Sequence, residues 1–360
     1  MSDLSAVLSS GLLGLETPVQ SISPALDQYF SADRTRTRAA LINFAIFSDA
    51  PESLPELDAQ LQHITHDHAC RALLIAAGSS LDTTQIQAWI KGLCHLDGAG
   101  GKFRCSEQVS FLVRGRSEGV LTNLVFSNLR SDLPLVVWWQ ASLQPHFHER
   151  LYSRIDRLIF DSSRWQNPRS QFALIRQALA RTNKFHSKLL LHDLAYTRGH
   201  EHRRAIALLF DDPVAQQQVP FLNRLEVSYR TGHRHSALYL GAWLSRQLGA
   251  VSPRPIGPDA FEFTRATGTF ALCLHEQKEG NAPVLPSLKL SGPESTFSVL
   301  PTPAGLHLET RAICGGLQKE LLCPASQKPD EGLVSDILMR SGSNLLLARV
   351  LPRFLELLEL

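Results

Sequence analysis

The sequence predicts an α/β protein: a mostly parallel α/β sheet domain over residues 1–168, then an α+β domain with an antiparallel sheet over residues 169–360. Apolar runs alternate five times with segments of helical spacing across residues 40–163, which is typical of parallel strands with crossover helices. From about residue 257 to 315 the pattern changes to short strands separated by turn residues, as in an antiparallel sheet. The length of 360 residues also favours two domains, because one core rarely grows beyond roughly 250–300 residues.

The elements of the first domain follow from this alternation. Strands are predicted near 41–48, 70–77, 107–115, 135–139 and 157–161, and helices near 53–65, 82–94, 117–129 and 148–155. The helix over 82–94 depends on the spacing of Ile86, Trp89, Ile90 and Leu93. The segment Glu107–Gly115 alternates polar and apolar residues, which indicates an exposed or edge strand.

The run Leu135–Trp139 is the most apolar of the predicted strands. Pro134 disfavours helix in the residue before it, and the run has no polar residue at alternate positions, so both faces should be covered. Two adjacent tryptophans, Trp138 and Trp139, end the strand and point to opposite faces. Sites in such sheets lie beyond the carboxyl ends of strands, so these indoles either anchor the core or contribute to a site.

The second domain is predicted to be built from helices and a run of short strands. Helices are predicted over 170–181, 200–210, 234–248, 330–339 and 344–358, with a strand over 222–229 and the antiparallel strands after residue 257. Pro352 is expected to kink or split the last helix, because proline removes a backbone donor and clashes with the preceding turn.

Composition and charge exclude several classes of function. The sequence is 44% hydrophobic and 19% charged with a formal net charge of +2, which argues against nucleic acid and charged membrane surfaces as partners. No apolar run is long enough to span a bilayer, and residues 1–20 lack the basic start of a signal peptide, so a cytoplasmic protein is expected. Scattered cysteines predict mostly reduced thiols, although Cys314 and Cys323 lie close enough in sequence to form a redox pair.

Signatures of nucleotide-cofactor binding are missing. The sequence has no GxGxxG turn after the first strand and no P-loop, and the candidate nucleophile Ser106 has no assignable base, so no cofactor and no enzymatic activity are expected. His63, His66, His68 and Cys70 are the first candidates for a metal site. They lack a second ligand pair at zinc-finger spacing, so no metal is predicted.

Four segments together resemble the glucose-6-phosphate dehydrogenase assembly protein family, OpcA. They are Cys105-Ser-Glu-Gln108, Asp132-Leu-Pro-Leu-Val-Val-Trp-Trp139, Asp156-Arg-Leu-Ile-Phe-Asp-Ser-Ser163 and Asp193-Leu-Ala-Tyr-Thr-Arg198, supported by His68-Ala-Cys-Arg71 and Arg38-Ala-Ala-Leu-Ile-Asn43. The likeness extends over about residues 36–250, with Tyr196 in place of an expected tryptophan. It implies a non-catalytic effector that binds glucose-6-phosphate dehydrogenase and promotes its active oligomer.

The resemblance leads to a set of candidate partner-binding residues. These are Trp138, Trp139, Arg157, Asp161, Arg164 and Arg198, chosen because tryptophan and arginine are common interface anchors. The alternative for each is structural: a core indole, a turn acceptor or a surface charge. The alternative function is a sugar-phosphate sensor or enzyme, with a phosphate at a helix N-terminus near Ser162-Ser163 or Gly78-Ser-Ser80.

Overall fold

The computed structural model describes residues 11–33, 35–78, 83–96, 103–115, 119–184, 189–278, 282–325, 327–340 and 344–360. Their contacts divide the chain into two compact units that alternate along the sequence. The first unit comprises residues 1–160, 170–191 and 330–342, and the second comprises 161–169, 192–329 and 343–360. The predicted single boundary at residue 168 stays a prediction about domain organisation.

The first sheet is parallel at its centre and antiparallel at one side. Its strands are β1 (Leu15–Glu16), β2 (Arg36–Arg38), β3 (Ile42–Ser48), β4 (Cys70–Gly78), β5 (Gln85–Leu96), β6 (Phe103–Arg114), β7 (Leu135–Trp139), β8 (Arg157–Phe160) and β9 (Leu190–Asp193). They lie in the order β1-β5-β6-β4-β3-β7-β8-β9, with β2 also paired to β6. β6, β4, β3, β7 and β8 are parallel, whereas β5 and β1 are antiparallel to their neighbours. The predicted mostly parallel sheet is confirmed.

The second sheet contains eight strands within the described residues. They are β10 (Arg224–Arg230), β11 (Val251–Gly257), β12 (Ala260–Arg265), β13 (Gly268–Gln277), β14 (Ser287–Gly292), β15 (Ser295–Pro301), β16 (His307–Cys314) and β17 (Leu317–Pro324). Their order is β11-β12-β13-β10-β14-β15-β16-β17. Every neighbouring pair is antiparallel except β10 with β13, so the predicted antiparallel sheet is confirmed with one parallel pair inside it.

Eleven α-helices accompany the sheets in the described part of the chain. They are α1 (Ile22–Ser31), α2 (Leu54–Asp67), α3 (Val120–Asn128), α4 (Glu149–Tyr152), α5 (Pro168–Lys184), α6 (Leu194–Arg198), α7 (His200–Leu209), α8 (Pro213–Gln218), α9 (Arg234–Gln247), α10 (Asp330–Met339) and α11 (Leu345–Glu359). In the first unit α2 packs against α10, and in the second α9 packs against α11. No helix of the described residues is long and apolar enough to cross a membrane.

Two predictions about these elements are wrong. The predicted helix over 82–94 is strand β5, in which Ala88, Trp89 and Ile90 are all buried. A strand covered on both faces loses its period of two, so its apolar positions imitated helical spacing. Of the two alternatives for Pro352, a kink or a split in the last helix, the split does not occur, since α11 continues through Pro352.

The second wrong prediction concerns β6, which is an interior strand between β5 and β4 and not an edge. Its polar residues are buried because they have partners inside the protein. Glu107 accepts a hydrogen bond from Arg71 Nη1 at 2.8 Å, and Gln108 Nε2 donates to Asp58 Oδ1 at 2.6 Å. Paired polar side chains produced the alternation that is typical of an exposed strand.

Candidate functional site

Asp161, Arg164 and Arg198 are brought together by the fold in the second unit. Asp161 follows β8 and caps the short turn after it, accepting a hydrogen bond from the Ser163 amide at 3.1 Å. Arg198, the last residue of α6, donates to both Asp161 oxygens at 3.0 and 2.7 Å. This two-bond arrangement is the strongest geometry for a guanidinium and a carboxylate. Both side chains are less than 10% exposed, so the pair is a fixed internal support.

A second carboxylate, Asp193, lies beneath this pair. It accepts hydrogen bonds from the amides of Ser162 at 3.1 Å and Ala195 at 2.9 Å, and from the Tyr239 hydroxyl at 3.0 Å. Burial, followed by the neighbouring charge of Asp161, raises the pKa of Asp193 to about 7. Burial acts in the same direction on Asp161, but the hydrogen bonds and charge of Arg198 outweigh it and hold the pKa of Asp161 below its usual value. The two neighbouring carboxyl groups therefore differ in pKa, with that of Asp193 raised and that of Asp161 lowered.

Arg164 carries the exposed charge of this cluster. Its side chain is 56% exposed, and its Nε lies 3.6 Å from Asp161 Oδ2. Arg198 fixes the position of the Asp161 carboxylate, and this carboxylate faces the guanidinium of Arg164. The Arg164 side chain is therefore at the surface, whereas Asp161 and Arg198 are buried, and a role of these three residues in partner binding stays a prediction.

The two tryptophans are core residues. Trp138 and Trp139 are each 2% exposed, and Trp139 lies with its ring 4.4 Å from that of Phe47 on β3. The Trp139 indole N–H donates to the Ser142 carbonyl at 3.0 Å, so its polar atom is satisfied internally. This burial agrees with the alternative of indoles that anchor the core, and a role of either tryptophan in supporting a partner-facing edge stays a prediction.

Arg157 opens β8 in the first unit and is half-buried. Its Nη1 donates to the carbonyl of Arg340 at 3.2 Å, which joins the start of the strand to the end of α10. A role in partner binding stays a prediction for this residue.

Cys314 and Cys323 are not brought together. They lie on the neighbouring strands β16 and β17, but Cys314 is opposite Leu317 and Cys323 is opposite Leu308, near the other end of β16. Both are free and buried, and burial raises the pKa of the Cys314 thiol. A disulfide requires Cα atoms within about 7 Å, so this register is incompatible with the predicted redox pair. The expectation of reduced thiols is corrected elsewhere: Cys94 and Cys105, directly opposite on β5 and β6, form a disulfide.

One of the two positions predicted for a phosphate is contradicted by the structure. The amides at Ser162 and Ser163 are occupied by the carboxylates of Asp193 and Asp161, so a phosphate there would meet two acidic groups. The other position includes residues 79 and 80, which lie outside the described residues.

Sequence reasoning missed a pocket of about 180 Å³ in the first unit. Its lining includes Ser23, Leu26, Asp27, Arg38, Arg71, Glu107, Ser127, Asn128, Leu129 and Arg130. The motifs that contain Arg38, Arg71 and Glu107 served to recognise the family, but no role was assigned to those three residues. The available signal was a charged residue in each of two predicted strands, since a buried charge requires a partner.

The candidate histidines do not form a metal centre. His68 has its Nε2 within 3.1 Å of both the carbonyl and the hydroxyl of Ser335. Over the ranges that the structure describes, no group of three or more His, Cys, Asp or Glu side chains is placed to hold a metal ion.

Comparison with known proteins decides the family. A model of the glucose-6-phosphate dehydrogenase subunit N-terminal domain matches residues 61–177, and a model of the C-terminal domain of the same subunit matches residues 190–351. The chain belongs to the OpcA family. The second match extends the OpcA likeness into the antiparallel sheet, beyond the segments that carry it in the sequence.

A relative from Synechocystis sp. bears the name OxPP cycle protein OpcA. It is 26% identical over 195 residues, which is 51% of this chain and 38% of that protein. The chain therefore matches well under half of the length of this OpcA relative.

Solved structures of similar arrangement are much more distant. An aldose-aldose oxidoreductase from Caulobacter crescentus is 12% identical, with 88% of this chain and 95% of that chain covered and a TM-score of 0.49. A super-repressor mutant of Gal80p from Saccharomyces cerevisiae is 10% identical, with 83% of each chain covered and a TM-score of 0.43. These scores are too low to carry an argument about the OpcA chain.

Proposed function

We propose that this OpcA-family chain binds glucose-6-phosphate dehydrogenase and promotes its assembly or activation in the oxidative pentose phosphate pathway. The observation that carries the proposal is the match of both domain models, each described as part of a glucose-6-phosphate dehydrogenase subunit. The chain would act without catalysing a reaction itself and would work in the cytoplasm.

The physical route is a shift of population between states of the enzyme. A partner that binds the active oligomer more tightly than the inactive form moves the equilibrium by its difference in affinity. Such a protein needs an interface and no reacting groups. The Asp161–Arg198 pair supports this reading, because it fixes a carboxylate that lies 3.6 Å from the exposed guanidinium of Arg164.

The proposed contact is made by Arg164, with Asp161 and Arg198 as its support. Exposed arginines at an interface act mainly on the rate of association and on its salt dependence. Removal of Arg164 should therefore slow binding more than it speeds dissociation.

The test mixes the purified chain with glucose-6-phosphate dehydrogenase from the same organism. Mass by light scattering and activity against substrate concentration are measured on the same mixtures. The proposal expects a heavier complex together with a changed KM or turnover. Unchanged mass and unchanged kinetics, under reducing and oxidising conditions alike, would refute it.

Surface variants then test the contact. Arg164→Ala is compared with Arg254→Ala, an exposed arginine of the same unit that is 70% exposed and paired with Glu262. Association followed at several salt concentrations should slow for Arg164→Ala and stay unchanged for Arg254→Ala. Equal behaviour of the two variants would remove Arg164 from the interface while leaving the complex itself established.

A further inference from the structure

The pocket in the first unit is organised around one buried carboxylate. Glu107, 3% exposed, lies on β6 directly opposite Arg71 of β4. Its Oε2 accepts from Arg71 Nη1 at 2.8 Å, and its Oε1 accepts from Arg130 Nη2 at 2.9 Å. Arg38 Nε also lies 2.7 Å from Oε1. Three guanidiniums thus share a single carboxylate.

The cations exceed the anions in this pocket. The further carboxylate that pairs with them, Asp27, accepts from Arg38 Nη1 at 2.7 Å and is 69% exposed. Burial lowers the pKa of Arg71, with Glu107 acting against it, and the charges of Arg130 and Arg38 lower it further. The pocket therefore keeps one positive charge more than its own carboxylates neutralise.

Donor groups in the pocket are not all used by Glu107. The Arg38 Nε is buried and, although close to Glu107 Oε1, is not aligned for a hydrogen bond. Arg130 is 40% exposed, so part of its guanidinium reaches the open side of the pocket. The arginine side chains thus offer N–H groups to a ligand as well as to Glu107.

The backbone around the pocket is fixed by internal hydrogen bonds. Asn43, fully buried at the start of β3, accepts from the Arg130 amide at 2.9 Å and donates to the carbonyls of Arg130 and Leu133 at 2.8 Å. Arg71 Nε donates to the Asn128 carbonyl at 3.0 Å. The arginines are therefore held before any ligand arrives, which reduces the entropic cost of binding one.

We propose that Arg38, Arg71 and Arg130 form a binding pocket for the phosphoryl group of a small phosphorylated ligand. A phosphoryl group offers three acceptor oxygens and close to two negative charges, which suits several guanidiniums better than a single carboxylate does. The volume of about 180 Å³ is below the roughly 300–1,000 Å³ of pockets for drug-sized ligands, so the ligand is small or enters by one end. The pocket shares no residue with the proposed partner contact at Arg164 and does not depend on it.

Calorimetry on the full chain tests the proposal without the dehydrogenase. Inorganic phosphate, glucose 6-phosphate and glucose are titrated in turn at constant ionic strength, since exposed charges are screened by salt. Binding of inorganic phosphate alone or of both phosphates with equal affinity identifies a free-phosphate site, and tighter binding of the ester identifies a phosphate-monoester site. Absence of binding by both phosphates at millimolar concentration overturns the proposal, as does equal binding of glucose.

Two substitutions at exposed positions should change the affinity for phosphate in opposite directions. Arg130→Met removes a charged donor and should weaken phosphate binding about tenfold. Asp27→Asn removes a competing carboxylate and should tighten it by about fivefold. Arg38→Met is the second loss variant, and circular dichroism confirms that each variant is folded.

Arg181→Met is the matched control, because this arginine of the same unit is 46% exposed and pairs with Glu149 away from the pocket lining. It should leave phosphate binding unchanged. If Arg130→Met and Arg38→Met bind as tightly as Arg181→Met, the phosphoryl group is not held by these arginines and the proposal is wrong.

Discussion

Replacement of Glu107 by glutamine should destabilise the first unit strongly. The substitution keeps the shape of the side chain but removes the charge that faces Arg71, Arg130 and Arg38 within 2.9 Å. Loss of one partner from a buried ion pair costs about 3–5 kcal/mol, because the remaining charge stays buried without compensation. For a unit of this size each kcal/mol lowers the Tm by about 2–4 °C, so a fall of about 6–20 °C is expected.

The assay must report on the first unit by itself. Hydrogen–deuterium exchange of peptides from β4 and β6 gives that reading, and peptides from β14 and β15 serve as an internal reference in the second unit. Glu107→Gln should accelerate exchange in the first set and leave the second unchanged. Thermal unfolding of the same samples gives the Tm.

A matched substitution in the same unit is Glu149→Gln. Glu149 is 48% exposed and pairs with Arg181, and exposed pairs contribute at most about 1 kcal/mol. If Glu107→Gln costs no more than Glu149→Gln, Glu107 does not compensate the buried arginines. A double variant, Glu107→Leu with Arg71→Met, should lose less stability than Glu107→Gln, since it buries no charge at the central pair.

Three further predictions concern the core, a buried carboxylate and the thiols. Trp139→Ala should lower the free energy of unfolding by about 3–5 kcal/mol while the folded fraction binds the dehydrogenase as before; weaker binding by well-folded protein would contradict the buried position of this indole. Because the pKa of Asp193 is raised to about 7, its contribution to stability is complete below about pH 4 and is lost as the pH rises to about 7. Denaturant unfolding should show that loss, by up to about 1.4 kcal/mol per pH unit, relative to Asp193→Asn; a constant difference between the two proteins from pH 4 to 7 would refute it. Non-reducing peptide mapping should find Cys314 and Cys323 unlinked to each other, and a peptide joining them would show that the β16–β17 register is wrong.

The central strands were predictable because burial alone determines them. Runs such as Phe44–Phe47 and Leu135–Trp139 have no polar face and can only lie inside a covered sheet. Burial on both faces also explains why β5 was not predicted as a strand. Ala88, Trp89 and Ile90 are all buried, so the alternation that identifies a strand is absent there. β1 and β2 are two and three residues long, too short for any pattern to be detected.

The sites were harder to predict because they depend on pairing across the sheet. Arg71 and Glu107 are 36 residues apart in sequence, and Asn43 and Arg130 are 87 apart. The register of β4 with β6 brings the first pair together, and sequence patterns do not specify that register. Sites in parallel sheets are expected beyond the carboxyl ends of the strands, whereas Arg71 and Asn43 lie at the starts of β4 and β3.

The alternation of the two units along the chain governs how the protein can be made. The first unit receives its last segment, residues 330–342, only after nearly all of the second has been synthesised. During synthesis on the ribosome, α2 therefore cannot pack against α10 until late. Until then other contacts or chaperones must cover its apolar face. For the same reason a cut at any boundary between these segments divides at least one unit, and separate expression of the two units requires their segments to be rejoined instead of a simple truncation.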